Sequence, residues 1–350
     1  MTKKRENIMG AQGGGMRFGM HGLRAGAFLV LGVLGVVMAA CGMDDNSYTV
    51  VDTIRTPILQ LLQKPSGGAS DASRPGCVSL PTGDAGAEER WCQQFPLRPA
   101  TEVIARFVLL APASATALTL SFKDISQLRN IDPASRAARI PTQGQDNAVA
   151  VDLTKWSFTE RSALNKVVSE SPLRIEERYY SWRLPDADTL LADVQRGALP
   201  AFNLNYTSEA PGLRIDRGFV AFVVLPEPDS PIIEAILNGS IGGTAADDSQ
   251  REALLQAAKT NTPPAFVSFS PDGGEVSAGG ENRLEVTLGT DPDAGAKSRI
   301  QWFVSAGELS NPVSRRPKWK PKNNGPAAAF VMVRDLQGGS DYAFRNFLAR

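Results

Sequence analysis

Three cysteines carry the most specific chemistry in this sequence of 350 residues, at positions 41, 77 and 92. Cys77 and Cys92 can close a disulfide loop of about 15 residues, worth about 3 kcal/mol in the chain-entropy model. The alternative for the pair is a metal site. Because no third thiol and no histidine stands beside them, they lack the four ligands of a structural zinc. The sequence therefore predicts a Cys77–Cys92 disulfide, formed in an oxidising compartment.

Histidine is absent beyond position 21, where His21 is the single histidine of the chain. This excludes Ser-His-Asp and Cys-His catalysis and every His-ligated zinc or iron site from the remaining sequence. Catalysis by carboxylates, lysine or tyrosine stays possible. We predict no catalytic residues, no metal site and no cofactor, and we expect a protein that is not an enzyme.

Five basic side chains crowd into eight residues near the C-terminus, namely Arg315, Arg316, Lys318, Lys320 and Lys322. On a β-strand, the three lysines share one face while Trp319 points to the other. Such a face can contact the phosphates of lipid or lipopolysaccharide headgroups, or an acidic protein. The alternative is a solvated strand edge, since lysines and prolines protect exposed strands against mispairing.

Acidic pairs in the middle of the chain raise the question of a carbohydrate-active enzyme. A glycoside hydrolase needs two carboxylates about 5–9 Å apart across a cleft. Glu176 and Glu177 are adjacent and must point to opposite faces of a strand, so they cannot supply that pair alone. Neighbouring aromatic residues can form a sugar-stacking platform or pack in a core, and we favour core packing for Trp156, Phe158, Tyr179, Tyr180 and Trp182.

The first 40 residues have the composition of a secretory signal. Five basic residues and one acidic residue precede an uncharged apolar run at positions 25–40. These 16 residues fall short of the roughly 20 that span a bilayer. The run Met38-Ala39-Ala40-Cys41 resembles the lipobox of bacterial lipoproteins, with Met in the place usually held by Leu.

This resemblance implies cleavage before Cys41 and acylation of that cysteine with diacylglycerol and a further chain such as palmitate. Two or three acyl chains anchor a protein stably to a membrane. An uncleaved membrane anchor is the alternative. Gly42 follows the cysteine where an aspartate would signal retention in the inner membrane, so we expect the outer membrane of a bacterial cell envelope.

Partners follow from the anchor and the charge. Removing residues 1–40 leaves 32 basic and 36 acidic residues, a net charge of about −4. That balance gives no reason to expect nucleic acid as a partner. We expect the membrane, through the lipid, together with envelope proteins or polysaccharide.

A linker and a β-rich domain are predicted to follow the signal. Residues 41–96 read as a lipidated N-terminus and flexible linker with the Cys77–Cys92 loop, because Gly, Ser, Ala, Pro and Asp dominate from Lys64 to Glu89. The short run Ile54–Leu62 could add a strand or a helical turn to the body of the protein. Residues 97–228 contain short runs that alternate apolar and polar residues, as strands do. Helical insertions are predicted in this β-rich domain at 160–168 and at 186–197, the latter capped by Asp186.

Residues 229–263 read as a helical connector, and residues 264–350 return to short strands with regular turn signals. The predicted fold class is mainly β: two β-sandwich-like domains in tandem, the first with helical insertions, after a signal peptide and a flexible tether.

A known pattern recurs in the C-terminal part of the chain. Its residues are Thr290-Asp291-Pro292-Asp293, Ile300-Gln301-Trp302, Gly307-Glu308-Leu309, Trp319 and Val333-Arg334-Asp335-Leu336-Gln337-Gly338-Gly339. In order and spacing they resemble PKD-type and cadherin-like bacterial Ig-like domains. The resemblance implies a sandwich with Trp302 in its core and Asp335 at the start of a tight hairpin. Relatives sometimes bind calcium near Asp291 and Asp293, but here Ala294-Gly295-Ala296 replaces the later acid, so we predict no metal.

The sequence thus predicts a non-catalytic, envelope-anchored lipoprotein that acts as a binding, adhesion or structural module. One alternative is a carbohydrate- or peptidoglycan-directed enzyme that uses carboxylates in residues 97–228. Another is a subunit of a multi-protein envelope assembly, which differs from the first interpretation only in the partner.

Overall fold

The computed structural model describes residues 48–50, 52–65, 76–82, 87–129, 148–151, 156–195, 198–238, 247–259, 263–289, 298–335 and 338–350. The predicted signal at 1–40, the predicted lipidation residue Cys41, and Asp291 and Asp293 lie outside these ranges. Across the described ranges, none of the helices has both the length and the apolar character needed to cross a membrane.

Strands dominate the described chain. Strands β1 to β11 are Arg55–Gln63, Cys77–Pro81, Glu88–Gln93, Glu102–Pro112, Thr119–Arg129, Ala148–Val151, Thr159–Glu160, Lys166–Ser169, Leu173–Arg183, Ala198–Glu209 and Asp216–Val223. Strands β12 to β20 are Phe266–Ser270, Gly274–Val276, Asn282–Arg283, Glu285–Leu288, Arg299–Val304, Glu308–Ser310, Lys318–Lys320, Gly325–Arg334 and Ser340–Ala349. The helices α1, α2 and α3 are Ala187–Gln195, Pro231–Leu237 and Asp248–Ala258. The predicted fold class, mainly β with two sandwich-like units, is confirmed.

Strands β1 to β11 form the first sandwich. One sheet has the order β2-β3-β1-β4-β9-β7, with β8 also paired to β9, and the other has the order β11-β10-β5-β6. Phe107, Tyr180 and Phe202, from β4, β9 and β10, meet in the core between these sheets. The alternation seen in the sequence at 201–206 is the inward and outward face of β10, because Phe202, Leu204 and Tyr206 all point into this core.

Strands β12 to β20 form the C-terminal sandwich. The sheet β13-β20-β19-β16 faces the sheet β14-β18-β17 and the pair β12-β15, with Trp302 and Trp319 fully buried between them. The hairpin of β19 and β20 turns at Asp335, whose N–H donates to the Gly339 carbonyl at 2.9 Å. The Gly339 N–H donates to Asp335 Oδ1 at 2.8 Å. Both expectations, a buried Trp302 and a hairpin beginning at Asp335, are confirmed.

The two sandwiches pack against each other through their central sheets. Val108 and Ile175 of the first sandwich meet Phe330 and Met332 of β19 in an apolar cluster, with Val50 at its side. Strands β4 and β19 are therefore buried on both faces. That is why their sequences are nearly continuous apolar runs rather than alternating ones.

Much of the predicted flexible linker belongs to the first sandwich. Strand β1 lies between β3 and β4, and β2 pairs with β3 so that Cys77 stands opposite Cys92. A disulfide joins the two cysteines, as predicted. Strand β1 lies where the sequence left open a strand at Ile54–Leu62. The flexible-linker prediction is wrong for β1 to β3, because polar side chains that suggest a solvated segment are buried there. Gln60 Nε2 donates to the Ser340 carbonyl and Gln63 Oε1 accepts the Arg98 N–H.

Helix predictions succeed where a cap is local and fail where strand pairing intervenes. Helix α1 begins after Asp186, whose Oδ1 accepts the Thr189 N–H at 2.7 Å, as predicted. The helix predicted at 160–168 is wrong, because β7, a short 3-10 helix and β8 occupy this segment. Both strands pair with β9, so tertiary contacts override the local helical preference.

The connector contains α2 and α3, whose apolar side chains pack into the core of the first sandwich, and one buried arginine adds hydrogen bonds between the two. Arg98 Nη2 donates to the carbonyl of Ala258, the last residue of α3, at 2.7 Å. Its Nη1 donates to the Pro226 carbonyl at 2.7 Å, and its Nε lies 3.1 Å from Glu227 Oε1. A cation at a helix C-terminus also interacts favourably with the helix dipole.

Candidate binding surface and interface cluster

The basic segment (residues 315–322) runs through the middle of a sheet. Its strand β18 pairs with β14 on one side and with β17 on the other. Lys318 and Lys320 are exposed while Trp319 between them is fully buried, so the predicted alternation of faces is confirmed. The solvated-edge interpretation is wrong for β18, because both sides of the strand are paired.

Trp319 fixes the backbone of the basic segment. Its ring packs edge-on against Phe347 with centroids 5.5 Å apart. Its indole Nε1 donates to the carbonyl of Ala306, in the turn between β16 and β17, at 2.9 Å. The segment therefore holds its place while its charged side chains reach solvent.

Acidic residues on β14 and β15 and their flanks partly neutralise the basic segment. Arg316 Nη2 lies 2.5 Å from Glu285 Oε1, and Lys318 Nζ lies 2.8 Å from Glu281 Oε2. The hydrogen bond from Lys318 lowers the pKa of Glu281, so this carboxyl stays ionised at neutral pH. Exposed pairs of this kind contribute little to stability. Within the described part of the chain, neither Lys320 nor Lys322 forms a salt bridge.

The first described residues of the chain are hydrogen-bonded to the C-terminal sandwich. The Val304 N–H donates to the Tyr48 carbonyl, and the Val50 N–H donates to the Val304 carbonyl, both at 2.9 Å. Between them, Thr49 Oγ1 donates to the Gly307 carbonyl at 3.1 Å. Residues 48–50 thus lie along β16 and reach the turn that follows it.

Gly307 connects these N-terminal residues to the basic segment. Its φ of +92° favours glycine, and a β-carbon here would approach the Lys320 carbonyl to 2.2 Å. The turn can therefore lie directly on the backbone of Lys320 and Pro321. One side of Gly307 accepts a bond from Thr49 while the other touches the basic segment.

A second polar site, the interface cluster (Arg106, Glu177, Tyr179 and Tyr342), lies between the sandwiches. Glu177 Oε1 accepts hydrogen bonds from Arg106 Nη2 and from the Tyr342 hydroxyl, both at 2.5 Å. The Tyr179 hydroxyl donates to Glu177 Oε2, and Lys166 Nζ lies 3.3 Å from the same oxygen. Only 1% of the Glu177 side chain is exposed, so the carboxylate is buried and fully coordinated by donors.

Electrostatics hold this cluster in one ionisation state. Burial alone would raise the pKa of Glu177, but the hydrogen bond and charge of Arg106 and the two tyrosine hydroxyls outweigh it and lower the pKa from 4.5 to about 2. Burial raises the pKa of Tyr179 and of Tyr342, so both hydroxyls remain protonated donors. The cluster can tie two sheets together, and it holds no group that titrates near neutral pH.

The carboxylates considered for a hydrolase do not share a cleft. Glu176 points to the opposite face of β9 from Glu177, as expected, and its oxygens lie 2.6 Å from Arg174 Nη2 and 2.5 Å from Arg178 Nη2. The sugar-stacking platform is also wrong, because four of its five aromatics, including Trp156 and Trp182, belong to the core of the first sandwich.

Metal ligands do not cluster in the described ranges, where no group of three or more His, Cys, Asp or Glu side chains is placed to hold an ion. Cys41, Asp291 and Asp293 fall outside those ranges. Of the predicted site residues, the structure joins the two disulfide cysteines and gathers the basic segment on one strand and its flanks.

Sequence reasoning missed the interface cluster. Tyr342 stands 165 residues from Glu177, so no local pattern could bring the two together. One signal was present, since Arg106 interrupts the apolar strand EVIARFVLLAP. A lone charge in a strand buried on both faces requires a buried partner.

No family model matches the chain, and no curated protein matches it. The N-terminal Ig1-2 module of the Drosophila receptor protein tyrosine phosphatase DLAR is 6% identical over 73% of this chain and 94% of its own, with a TM-score of 0.22. Extracellular cadherin domains 1-5 of protocadherin gamma B2 are 10% identical over 78% of this chain and 39% of their own, with a TM-score of 0.19.

A third solved structure is a nucleoside hydrolase-related hypothetical protein from Saccharophagus degradans that is associated with carbohydrate metabolism. It is 18% identical over 39% of this chain and 35% of its own, with a TM-score of 0.21. The chain thus spans about a third of that structure. TM-scores this low do not establish a shared fold, so the sandwich architecture rests on the sheets described above.

Proposed function

We propose that this chain is a non-catalytic binding or structural module held at the bacterial cell envelope by lipid on Cys41. One observation carries the proposal: two sandwiches are joined by a buried interface into a single body, and residues 48–50 are themselves bound to it. A module of this kind presents its surfaces in a fixed orientation close to its anchor.

The interface favours a stable association of the two sandwiches. Its apolar part contains Phe303 and Phe330, both buried, and its polar part contains the interface cluster. Ser340 of β20 adds further bonds, because its carbonyl accepts from Gln60 Nε2 at 2.8 Å and from Gln93 Nε2 at 2.7 Å. Buried hydrogen bonds need their partners at fixed distances, so this polar part specifies one arrangement more strictly than apolar contact does.

The anchor and the location rest on the sequence. The lipobox-like run before Cys41 supports acylation, and Gly42 supports the outer membrane. Polysaccharide or another envelope protein is the proposed ligand class. The arrangement of Glu176 and Glu177 gives the enzyme alternative no support, since each carboxylate is occupied by arginine on its own face of β9.

Mass spectrometry of the protein purified from membranes tests the anchor directly. We expect a mature chain that begins at Cys41 and carries three acyl chains, and a Cys41→Ala chain that is no longer acylated. A soluble, unacylated wild-type protein in the same cells would overturn the proposed anchoring.

Mild chemical crosslinking of intact cells, followed by capture of the protein, tests the binding role. Envelope proteins or polysaccharide fragments retained by wild type and lost with Cys41→Ala support a module that works at the membrane. Stable protein partners identify an envelope assembly. Release of soluble sugar products from cell-wall material by the purified protein would contradict the non-catalytic role.

A further inference from the structure

We propose that the end of the C-terminal sandwich around the basic segment rests on anionic phospholipid headgroups of the same membrane that holds Cys41. The proposal rests on the lipid anchor proposed above and names a partner for one surface of the anchored module. It follows from the length of the tether, the contact made by its last residues and the charge at that contact.

The tether is too short to let the module turn freely. Thr49 follows Cys41 by eight residues, a span of at most about 29 Å even when fully extended. Thr49 pairs with Val304, which lies opposite Ala329 of β19. This part of the C-terminal sandwich therefore lies no farther than about 29 Å from the bilayer surface.

The contact of Thr49 shows which surface lies beside the tether. Thr49 Oγ1 bonds the Gly307 carbonyl, and Gly307 lies on the backbone of Lys320 and Pro321. Lys322 follows at once and is exposed. The anchored N-terminus and the basic segment therefore meet at one turn of the molecule.

Charge around the basic segment differs from charge in the whole chain. The mature sequence carries about −4, whereas residues 281–285, 308–310 and 315–322 contain six basic residues against the three acids Glu281, Glu285 and Glu308. The six are Arg283, Arg315, Arg316, Lys318, Lys320 and Lys322. Each basic residue close to an anionic headgroup layer increases the membrane-binding constant about fivefold.

The acidic neighbours do not prevent a contact with phosphate. Glu281 pairs with Lys318, Glu285 pairs with Arg316, and Glu308 stands opposite Lys320 in the register of β17 and β18. The side chains of both ion pairs are largely exposed. Exchanging an exposed carboxylate for a headgroup phosphate therefore needs no buried group to move.

Lysine footprinting of the wild-type lipoprotein is the test, and it needs no variant. The acylated protein is inserted into vesicles of phosphatidylcholine alone, or of phosphatidylcholine and phosphatidylglycerol in equal amounts. Reaction with a water-soluble amine reagent is followed at each lysine by mass spectrometry. Lys123, exposed on β5 of the first sandwich, is the internal control.

We expect the reaction rates of Lys320 and Lys322 to fall about fivefold on the anionic vesicles relative to the neutral ones. The reaction rate of Lys123 should be the same on both kinds of vesicle. Molar salt should restore the reaction rates of Lys320 and Lys322 to their values on the neutral vesicles. Equal reaction rates of Lys320 and Lys322 on both kinds of vesicle would overturn the headgroup contact. An acylated protein with that result would still support the lipid anchor. A protein without acyl chains would overturn both proposals.

A Glu281→Gln variant sharpens the assignment. Removing this acid frees Lys318 for phosphate, so protection of Lys318 on anionic vesicles should increase relative to wild type. Glu102→Gln is the matched control, because Glu102 forms a comparable exposed pair with Arg161, 3.1 Å away, in the first sandwich. An increase for both variants, or for neither, would contradict a contact made by the basic segment.

Discussion

From Glu177 onward, the two faces of strand β9 are both buried, yet in opposite ways. Before that point the contrast does not hold, because Glu176 and its arginines lie on the face of Tyr180, and Ile175 lies in the apolar cluster on the face of Glu177. On one face, Tyr180 and Trp182 pack among aromatic rings of their own sandwich, with Tyr180 and Phe107 centroids 5.8 Å apart. On the other, Glu177 accepts hydrogen bonds from Tyr179, from Arg106 and from Tyr342, the last contributed by the C-terminal sandwich.

This contrast shows how the molecule separates folding from docking. An apolar face gains stability from buried area and accepts any partner of suitable shape. A buried carboxylate is stable only when its donors are present at the correct distance. The first sandwich therefore holds itself together on one side of β9 and recognises the second sandwich on the other.

The largest effect on stability is expected from a substitution in the apolar core that packs against β9. Phe107 is fully buried and touches the rings of Phe122, Tyr180 and Tyr206. Phe107→Ala should lower the free energy of unfolding by about 4 kcal/mol, because it leaves a cavity in the core. Urea denaturation measures the loss. The control Phe107→Leu keeps most of the volume and should cost about 1.5 kcal/mol, and equal losses would contradict a well-packed core here.

The next largest effect on stability is expected from removing a charge in the interface cluster. Glu177→Leu leaves the Arg106 guanidinium buried without its carboxylate and should cost about 3 kcal/mol. The double variant Glu177→Leu/Arg106→Met removes both charges and should recover most of that loss. Thermal unfolding followed by calorimetry compares the three proteins. A double variant as unstable as the single one would show that the charge pair is not the source of the effect.

Acid distinguishes the two faces without changing the core. The pKa of Glu177 is lowered from 4.5 to about 2, so its contribution is complete above about pH 4.5 and disappears as the pH falls towards 2. Wild type should lose about 2 kcal/mol from this group between about pH 7 and pH 3. Burial raises the pKa of Asp216 and of Asp341, which acts in the opposite sense.

The difference between wild type and the double variant isolates the contribution of Glu177. Both proteins contain the two aspartates, so only the wild type should show the extra loss in urea denaturation at low pH. Parallel pH profiles for the two proteins would contradict the lowered pKa.

The smallest expected effect uses two adjacent tyrosines. Tyr179→Phe removes a hydroxyl that donates to the buried Glu177 carboxylate, and should cost about 1.5 kcal/mol. Tyr180→Phe keeps the ring contacts of the apolar face and should change stability by less than about 0.5 kcal/mol. Chemical denaturation of the two variants measures the comparison directly. A larger loss for Tyr180→Phe would reverse the roles assigned to the two faces.

Patterns that are local in the chain allowed most of the architecture to be predicted. Alternation revealed β10, a side-chain cap revealed α1, and the resemblance to PKD-type and cadherin-like domains implied the hairpin at Asp335. Each of these signals lies within a few residues of the element that it specifies. The alternation of Lys318, Trp319 and Lys320 was readable for the same reason.

What could not be predicted depends on partners that are far away in sequence. Strand β1 contains Gln60 and Gln63, which look solvated until Ser340 and Arg98 satisfy them. The segment at 160–168 looks helical until β9 offers two strand pairings. The interface cluster combines β4, β9 and β20, and only the assembled sheets bring these strands together.

The pairing of residues 48–50 with β16 has a consequence for self-association. Strand β16 is the last strand of its sheet, and Tyr48 and Val50 occupy the backbone groups of Val304 that would otherwise be open. An open strand edge is a template for another chain. A proteolytic cut just after Val50 would release Tyr48 and Val50 and uncover these backbone groups of Val304, so the shortened protein would be more prone to strand-to-strand association at this point of β16.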